Sequence, residues 1–306
     1  MNYLVTGGAG YIGIELVYAL ASLESTKNII IYDSMRRSNY NVFGGLRKIK
    51  QGLVEFIDSD ILDNSTLQAT VARSNVIFHL AAEVPDQLTG QNAYIFDQIN
   101  NWGSSILVQC IENSHSAKTV IYVSSFQVLG SGEVDLRQDK PNPNTFYGLS
   151  KLNGERHFLR LVEENYHSVS VVRCPTVYGR SKNLRLGTGL NRLIFDAHFK
   201  ARISIHGVEE YQAPHIYIDD LITALVHLAG DIKVGVSYMP FQNIMLDELV
   251  SGINEVFQNI DIIYLEQDHP VDTLIIKSPS SPIEFAQFST SSLSENIQKF
   301  SNWFIC

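Results

Sequence analysis

The stretch Thr6-Gly-Gly-Ala-Gly-Tyr-Ile-Gly13 decides the fold of this 306-residue chain. The apolar run Asn2–Thr6 has the pattern of a buried strand, and a helical pattern follows from Tyr11 to about Glu24. Three spaced glycines allow a sharp turn, a close approach of backbone to a pyrophosphate, and close packing of helix on strand. The first turn of that helix directs free N–H groups at the phosphates. The stretch therefore predicts a dinucleotide-binding unit.

Apolar strands and helices continue to alternate through the first half of the chain. Further strands are predicted at residues 28–32, 53–58, 75–79, 119–123 and 170–173, and helices at 63–73, 92–113 and 147–164. Continuous apolar strands that alternate with helices indicate a parallel sheet covered on both faces. We therefore expect an α/β fold with a Rossmann-type doubly wound parallel sheet in residues 1–179.

The alternation weakens in the second half of the chain. Helices are predicted there at residues 189–200, 219–229 and 247–257, and strands at 202–206 and 261–264. We interpret residues 180–306 as a smaller C-terminal α/β substrate lobe, from which a segment at about 215–230 returns to the first domain.

Composition and charge exclude several classes of protein. Because the formal net charge is −9, we expect no nucleic-acid partner. No apolar run reaches about 18 residues and no signal peptide is visible, so we expect no membrane span and a cytoplasmic location. Cys110, Cys174 and Cys306 are far apart, and the histidines lack ligand spacing, so we expect neither a disulfide framework nor a metal site.

Asp33 indicates which dinucleotide the turn binds. It ends the second predicted strand about 20 residues after the turn, where a carboxylate accepts hydrogen bonds from the adenosine ribose hydroxyls. A carboxylate there also repels a 2′-phosphate, which favours NAD over NADP. Arg36 and Arg37 lie close by in the sequence and keep NADP open as the alternative.

A candidate catalytic group follows the fifth predicted strand. Tyr147 and Lys151 are four residues apart at a helix start, which places both on one face. A phenol, with a pKa of roughly 10, is a poor base at neutral pH, but a neighbouring ammonium lowers that pKa. Ser125 lies at the end of the strand, where ligands of such sheets bind, and can share a substrate oxygen with Tyr147. We expect Tyr147 to take a proton from a substrate hydroxyl while hydride leaves the same carbon.

Together these motifs resemble those of the extended short-chain dehydrogenases/reductases, in particular the sugar-nucleotide epimerase/dehydratase group. The resemblance runs from residue 1 to about residue 229. Besides the stretch at 6–13 and Asp33, it is carried by Asp60-Ile61, His79-Leu-Ala-Ala82, Asn100 with Gly103-Ser104, Val123-Ser-Ser125, Tyr147-x-x-x-Lys151, Arg173-Cys-Pro-Thr-Val-Tyr-Gly179 and Ile218-Asp-Asp220. It implies a Rossmann domain with a small substrate lobe, NAD as cofactor, and a nucleotide-sugar or related sugar substrate.

The resemblance also implies roles for individual residues. Ser125, Tyr147 and Lys151 match the catalytic trio of the family. Asp60 and Ile61 match the contacts to the adenine edge. The cofactor-binding residues that the motifs imply are Gly7, Gly10, Tyr11, Ile12, Gly13, Asp33, Asp60, Ile61, Leu80, Ala81, Ala82, Asn100, Val123, Tyr147, Lys151 and Pro175.

Two departures from the family pattern bear on reaction and substrate. Phe126-Gln127 stand where the 4,6-dehydratase members carry an Asp-Glu pair for water elimination, so dehydration is not the expected reaction. Ala213 stands where members carry an arginine for the nucleotide diphosphate. Lys182, Arg185 or Arg192 would then supply phosphate contacts.

The leading hypothesis is an NAD-dependent sugar-nucleotide epimerase that oxidises its substrate transiently at C4 to a 4-keto intermediate. The alternative is a net NAD(P)H-dependent sugar (4-)ketoreductase or dehydrogenase, whose cofactor exchanges. A hypothesis of another class is a catalytically silent NAD-sensing protein. The resemblance also implies a homodimer formed through the helices at about 92–113 and 147–164.

Overall fold

The computed structural model describes residues 1–46, 49–85, 92–138, 140–164, 166–206, 212–265, 273–277 and 291–304. In chain order the strands are β1 (Asn2–Thr6), β2 (Asn28–Asp33), β3 (Val54–Asp58), β4 (Val76–His79), β5 (Thr119–Ser125), β6 (Gly132–Val134), β7 (Ser168–Cys174), β8 (Thr176–Tyr178), β9 (Arg202–His206), β10 (Gln212–Tyr217), β11 (Gly235–Tyr238), β12 (Gln242–Met245), β13 (Asp261–Leu265) and β14 (Leu274–Ile276). The helices are α1 (Tyr11–Ala21), α2 (Asn41–Leu46), α3 (Asn64–Ala72), α4 (Ala93–Phe96), α5 (Gly103–Glu112), α6 (Phe146–Glu163), α7 (Gly189–Lys200), α8 (Ile218–Gly230), α9 (Leu246–Val256) and α10 (Leu293–Trp303).

A seven-stranded parallel sheet in the order β11-β7-β5-β4-β1-β2-β3 forms the centre of the fold. The chain adds β2 and β3 on one side of β1, and β4, β5 and β7 on the other, so the strand order reverses at β1. In open α/β sheets a ligand crevice lies beyond the carboxyl ends of the strands at such a reversal. The predicted doubly wound Rossmann-type sheet is confirmed, and the glycine-rich stretch lies at this crevice.

Two apolar layers cover the sheet, because neighbouring residues of a strand point to opposite faces. Val5 and Ile31 belong to the layer that α1 and α8 complete. Leu4 and Ile30 belong to the opposite layer, which α3, α5 and α6 complete. The strands β1, β2, β4, β5 and β7 are therefore buried on both sides, as their apolar sequences require, whereas the edge strand β3 is half-buried.

Residues after 179 contribute to the main sheet as well as to a separate core. The helix α8 packs on α1, and β11 pairs with β7 at the edge of the sheet. The helices α7, α9 and α10 share an apolar cluster of their own with β9 and β10. The division into domains 1–179 and 180–306 stays a prediction.

Within the described residues, no helix combines the length and the apolar character needed to span a membrane.

The predicted helix at 92–113 is interrupted in the middle. It consists of α4, a π-helical segment Asp97–Trp102, and α5. At Gly103 a Cβ would lie 2.7 Å from Cγ2 of Ile61, so a side chain there would push this helix away from the chain that follows β3. Such π-helical turns are common at functional sites, and this one contains Asn100.

Candidate active site

The glycine-rich turn is packed so closely that it leaves no room for a Cβ atom at Gly7 or Gly13. Gly7 has φ +69°, and a Cβ there would lie 2.7 Å from the backbone N of Ala81. At Gly13 a Cβ would lie 2.7 Å from Cα of Gly8. These glycines bring the ends of β1 and β4 and the start of α1 together around exposed backbone. Backbone of this kind is what a pyrophosphate requires.

Asp33 joins the end of β2 to this turn. Its Oδ2 accepts a hydrogen bond from the N–H of Ala9 at 3.0 Å, and its Oδ1 accepts one from the N–H of Met35 at 2.9 Å. Burial raises the pKa of Asp33, whereas the two backbone hydrogen bonds lower it. Each oxygen keeps a lone pair for a further donor, which fits the predicted contact with ribose hydroxyls.

A pocket opens over the turn, between the segments that follow β2, β3 and β4. The predicted cofactor residues that line it are Gly7, Gly10, Asp33, Asp60, Ile61, Leu80, Ala81 and Ala82. Arg36, Arg37 and Glu83 line it as well. The structure thus brings together the adenosine end and the phosphate end of the predicted site.

A buried polar chain fixes the end of β4 beside β1. The hydroxyl of Ser104 donates to the carbonyl of Asn100 at 2.6 Å, so it accepts from Nε2 of His79 at 3.1 Å. The Nδ1 of His79 then accepts from the hydroxyl of Thr6 at 2.7 Å. Because burial lowers the pKa of His79 to about 3, the ring is neutral and suits this chain of donors and acceptors.

Asn100 lies behind the pocket and fixes the segment after β4 that forms one of its walls. Its Oδ1 accepts from the N–H of Glu83 at 2.8 Å, and its Nδ2 donates to the carbonyl of Glu83 at 2.9 Å. The same Nδ2 donates to Oγ of Ser150 on α6 at 2.9 Å. Asn100 therefore ties the segment after Ala82 to the helix that carries Tyr147. The cofactor-binding role predicted for Asn100 would act through this support.

Tyr147 and Ser125 are brought together where β5 ends and α6 begins. The helix starts after Thr145, whose hydroxyl accepts a hydrogen bond from the N–H of Gly148 at 2.9 Å. In the first turn, the phenol of Tyr147 lies close enough to the Ser125 hydroxyl for that hydroxyl to lower its pKa. Phe96 packs edge-on against the phenol ring, with centroids 5.8 Å apart. The predicted pair is thus assembled at the carboxyl edge of the sheet.

Lys151 is buried one turn further along α6. Its Nζ donates to the carbonyl of Val123 at 2.7 Å and lies 4.3 Å from the centroid of the Tyr122 ring. Burial lowers the pKa of Lys151 to about 7, while the nearby Glu155 and Cys174 raise it. Lys151 therefore titrates near neutral pH at the centre of the site.

The effect of Lys151 on the pKa of Tyr147 stays a prediction. Burial raises the pKa of Tyr147 to about 12, and the groups that oppose the rise are the guanidinium of Arg185 and the Ser125 hydroxyl. The Lys151 ammonium donates to the Val123 carbonyl. The cation that acts on the phenol comes from the chain that follows β8.

The stability of the protein should depend on pH through Lys151. The pKa of Lys151 is about 7 in the folded chain and roughly 10.4 in an unfolded one. Between these values the unfolded chain binds the extra proton, so the free energy of unfolding should rise with pH. In Lys151→Met this rise should be smaller, as measured by urea unfolding across the interval. The exposed Lys27→Met is the control, and an equal slope in both variants would contradict the assignment.

Other predicted cofactor residues occupy supporting positions. The phenol of Tyr11 donates to the carbonyl of Gly179 at 2.8 Å and accepts from Nδ2 of Asn191 at 3.2 Å, and Ile12 packs against the core at α1. The contacts predicted for both would therefore come from backbone N–H groups at the start of α1. Pro175 is buried directly after β7.

A buried ion pair beside Lys151 was missed from the sequence. Arg173 on β7 donates to both carboxylate oxygens of Glu155 on α6, at 3.0 and 2.8 Å, and its Nη1 donates to the phenol of Tyr238 at 2.9 Å. The hydroxyl of Ser124 also donates to Glu155. The sequence offered one signal for this pair. A charged residue lies near the end of a buried apolar strand, and an acidic residue follows Lys151 by four positions.

The candidates for phosphate contacts differ in their surroundings. Ala213 is buried within β10. Arg192 pairs with Asp196 at 2.9 Å, and Nζ of Lys182 lies 4.7 Å from the centroid of the Tyr18 ring. Arg185 donates to the carbonyl of Pro85 and acts on the pKa of Tyr147. Of the three predicted candidates, Arg185 is therefore the one whose charge acts on Tyr147.

Comparison with known proteins agrees with this geometry. Residues 3–241 match the model of the NAD dependent epimerase/dehydratase family. The chain belongs to this family. The match covers the glycine-rich turn, the Ser125–Tyr147 pair and Lys151, so the resemblance inferred from the motifs is confirmed.

Curated relatives within this family include epimerases and dehydratases. The chain is 26% identical over 281 residues to dTDP-D-glucose 4,6-dehydratase of Dictyostelium discoideum, covering 85% of this chain and 61% of that protein. It is 28% identical over 229 residues to ADP-L-glycero-D-manno-heptose-6-epimerase of Brachyspira hyodysenteriae, covering 72% and 69%. The chain thus spans less than two thirds of the Dictyostelium relative.

Among solved structures, UDP-glucuronic acid 4-epimerase from Bacillus cereus has the same fold. In the form of a point mutant with UDP-4-deoxy-4-fluoro-glucuronic acid and NAD, it matches this chain with a TM-score of 0.86 at 22% identity, over 100% of this chain and 99% of that one.

Proposed function

We propose that this protein is an NAD-dependent sugar-nucleotide epimerase that oxidises its substrate transiently at C4. The observation that carries the proposal is the placement of Tyr147 close to Ser125, at the carboxyl edge of the sheet and one helical turn before Lys151. A phenol and a hydroxyl that share one oxygen-binding position suit proton transfer to and from a secondary alcohol.

NAD fits the pocket over the glycine-rich turn. Gly7 and Gly10 line the pocket without side chains, and Asp33 offers lone pairs beside them. Asp58, level with Asp33 on the neighbouring strand, adds a second negative charge there. Both charges disfavour a 2′-phosphate, which supports NAD over NADP. Bound NAD supplies the acceptor, and then the donor, of hydride at C4.

The chain's own residues transfer the proton of the C4 hydroxyl and bind its oxygen. Tyr147 takes the proton from the C4 hydroxyl and returns it when the alcohol forms again. Ser125 donates to the same oxygen, and Arg185 favours the phenolate by its charge. Lys151, held by the Val123 carbonyl, keeps a titratable ammonium one helical turn away.

Epimerisation is favoured over water elimination by the residues that follow Ser125. The side chain of Phe126 is buried against Tyr238 and Phe241, and Gln127 accepts a hydrogen bond from Thr145 at 3.2 Å. Neither position carries the acid or base that the dehydratase members of the family use there. The chain differs in this respect from those members.

A homodimer is part of the proposal. Large apolar side chains are exposed on the predicted dimer helices: Tyr94 is 70% exposed, Trp102 60%, Phe146 58% and Leu149 45%. Large exposed apolar side chains on a pair of helices are typical of a protein–protein interface.

The test is turnover of a panel of nucleotide-sugars by purified protein without added cofactor. We expect NAD to co-purify and one substrate to reach an equilibrium with its C4 epimer, with no net change in absorbance of NADH. Stoichiometric NADH formation or consumption would instead favour the ketoreductase or dehydrogenase alternative. NAD binding without any turnover would favour a silent sensor.

A further inference from the structure

We propose that the ion pair between Arg37 and Glu83 is a clasp that closes over the cofactor on the glycine-rich turn and slows its release. The inference rests on the proposed function, since an epimerase must return hydride from the same cofactor molecule that accepted it. Loss of the reduced cofactor before that step would leave a keto-sugar and an inactive enzyme.

The sheet order places the two residues on opposite sides of the turn. The strand β1 lies between β2 and β4, and the turn follows β1. Arg37 lies in the segment after β2 and Glu83 in the segment after β4. Nη2 of Arg37 contacts Oε1 of Glu83 at 2.6 Å, and both residues line the pocket above Gly7 and Gly10. The pair therefore bridges the pocket from side to side.

The Glu83 end of the clasp is anchored to the active site. Asn100 binds both the N–H and the carbonyl of Glu83, and also Ser150 on the catalytic helix. Arg37 makes a second contact on this side, to the carbonyl of Val84 at 3.3 Å. The segment after β4 that Arg37 contacts is thus held in place by Asn100, independently of the ion pair.

Arg37, at the other end of the clasp, lies in a tight turn after β2. Met35 and Ser38 have φ +51° and +53°, and the N–H of Ser38 donates to the carbonyl of Met35 at 2.8 Å. The N–H of Met35 donates to Asp33, which also binds the N–H of Ala9 in the glycine-rich turn. Left-handed conformations at two residues other than glycine are uncommon and need such support. Arg37 lies in the turn that they form and contacts Glu83 from there.

The clasp can open, because it is partly exposed to water. The side chains of Arg37 and Glu83 are 37% and 28% exposed. Exposed ion pairs contribute little to stability and are screened by salt. We therefore expect a kinetic effect of about fivefold on release, of the size that such a pair supports.

The experiment measures the dissociation rate of NADH by stopped-flow fluorescence, with excess NAD⁺ as competitor. Arg37→Gln and Glu83→Gln should each release NADH about fivefold faster than the wild type. The double variant should be no faster than either single one, since both remove the same interaction. High salt should accelerate release from the wild type and not from Arg37→Gln. The control is Arg73→Gln, which breaks the exposed Arg73–Glu55 ion pair away from the pocket, and it should release at the wild-type rate.

Two results would overturn the clasp while leaving the proposed function intact. One is release at the wild-type rate from both single variants. The other is slower release from Glu83→Gln together with faster release from Arg37→Gln, which would make Arg37 a direct phosphate ligand that Glu83 restrains. Failure of the wild type to bind NADH would overturn the clasp and the proposed function together.

Discussion

Tyr147→Phe should lower kcat for epimerisation by about a thousandfold, within the range of general acid–base catalysis. The substitution removes the phenol oxygen that lies near Ser125 and that we propose to carry the proton. The ring and its packing on Phe96 remain, so the fold and NAD binding should be unchanged. The measurements are kcat, the NADH dissociation constant and the free energy of unfolding.

The control for this prediction is Tyr166→Phe, which removes an exposed phenol that lies before the start of β7, at the edge of the sheet opposite the site. It should keep wild-type kcat. If Tyr147→Phe retained kcat within a factor of a few, Tyr147 would not be the group that moves the proton.

Arg173→Met should lower the free energy of unfolding by about 3–5 kcal/mol, the cost of breaking a buried ion pair. Arg173 and Glu155 have side-chain exposures of 2% and 0%, so the variant leaves the Glu155 carboxylate buried beside Ser124 without its bidentate partner. Urea unfolding, with NAD absent from wild type and variant alike, measures the difference.

The matched control is Arg73→Met, at an ion pair of 2.7 Å whose side chains are 47% and 39% exposed. It should cost about 1 kcal/mol or less, because water already solvates both charges. Equal losses in the two variants would mean that burial of the Arg173–Glu155 pair does not determine its contribution.

The first half of the fold was predictable because its signals are local. The strand Asn2–Thr6 ends at the predicted residue, and α1 begins at the predicted Tyr11. Both boundaries are set by the glycine-rich stretch between them. The apolar runs of the other central strands are continuous because helices cover both faces, and this pattern is visible without tertiary information.

The second half was less predictable, because its elements are short and depend on partners distant in sequence. The strand β10 contains Pro214, which disfavours a strand prediction, yet β10 pairs with β12 on one side and with β8 on the other. The helix α10 was not predicted, although Ser292 and Glu295 form a capping box at its start.

In the site, the residue types were predictable and their electrostatics were not. The spacing of Tyr147 and Lys151 predicts a shared helix face, but not that Lys151 donates to Val123 while Arg185 acts on the phenol. The same holds for Arg37 and Glu83, which are 46 residues apart. Their pairing follows only from the sheet order, which brings the segments after β2 and β4 to either side of β1.

The most direct test of the account uses a nucleotide-sugar substrate that carries deuterium at C4. If oxidation and reduction occur at C4 with retained NAD, the epimeric product should keep its deuterium at C4 and no deuterium should accumulate in free NADH. NMR and mass spectrometry of the product measure this. Loss of the deuterium to solvent or to the free cofactor pool would contradict epimerisation by transient oxidation at C4.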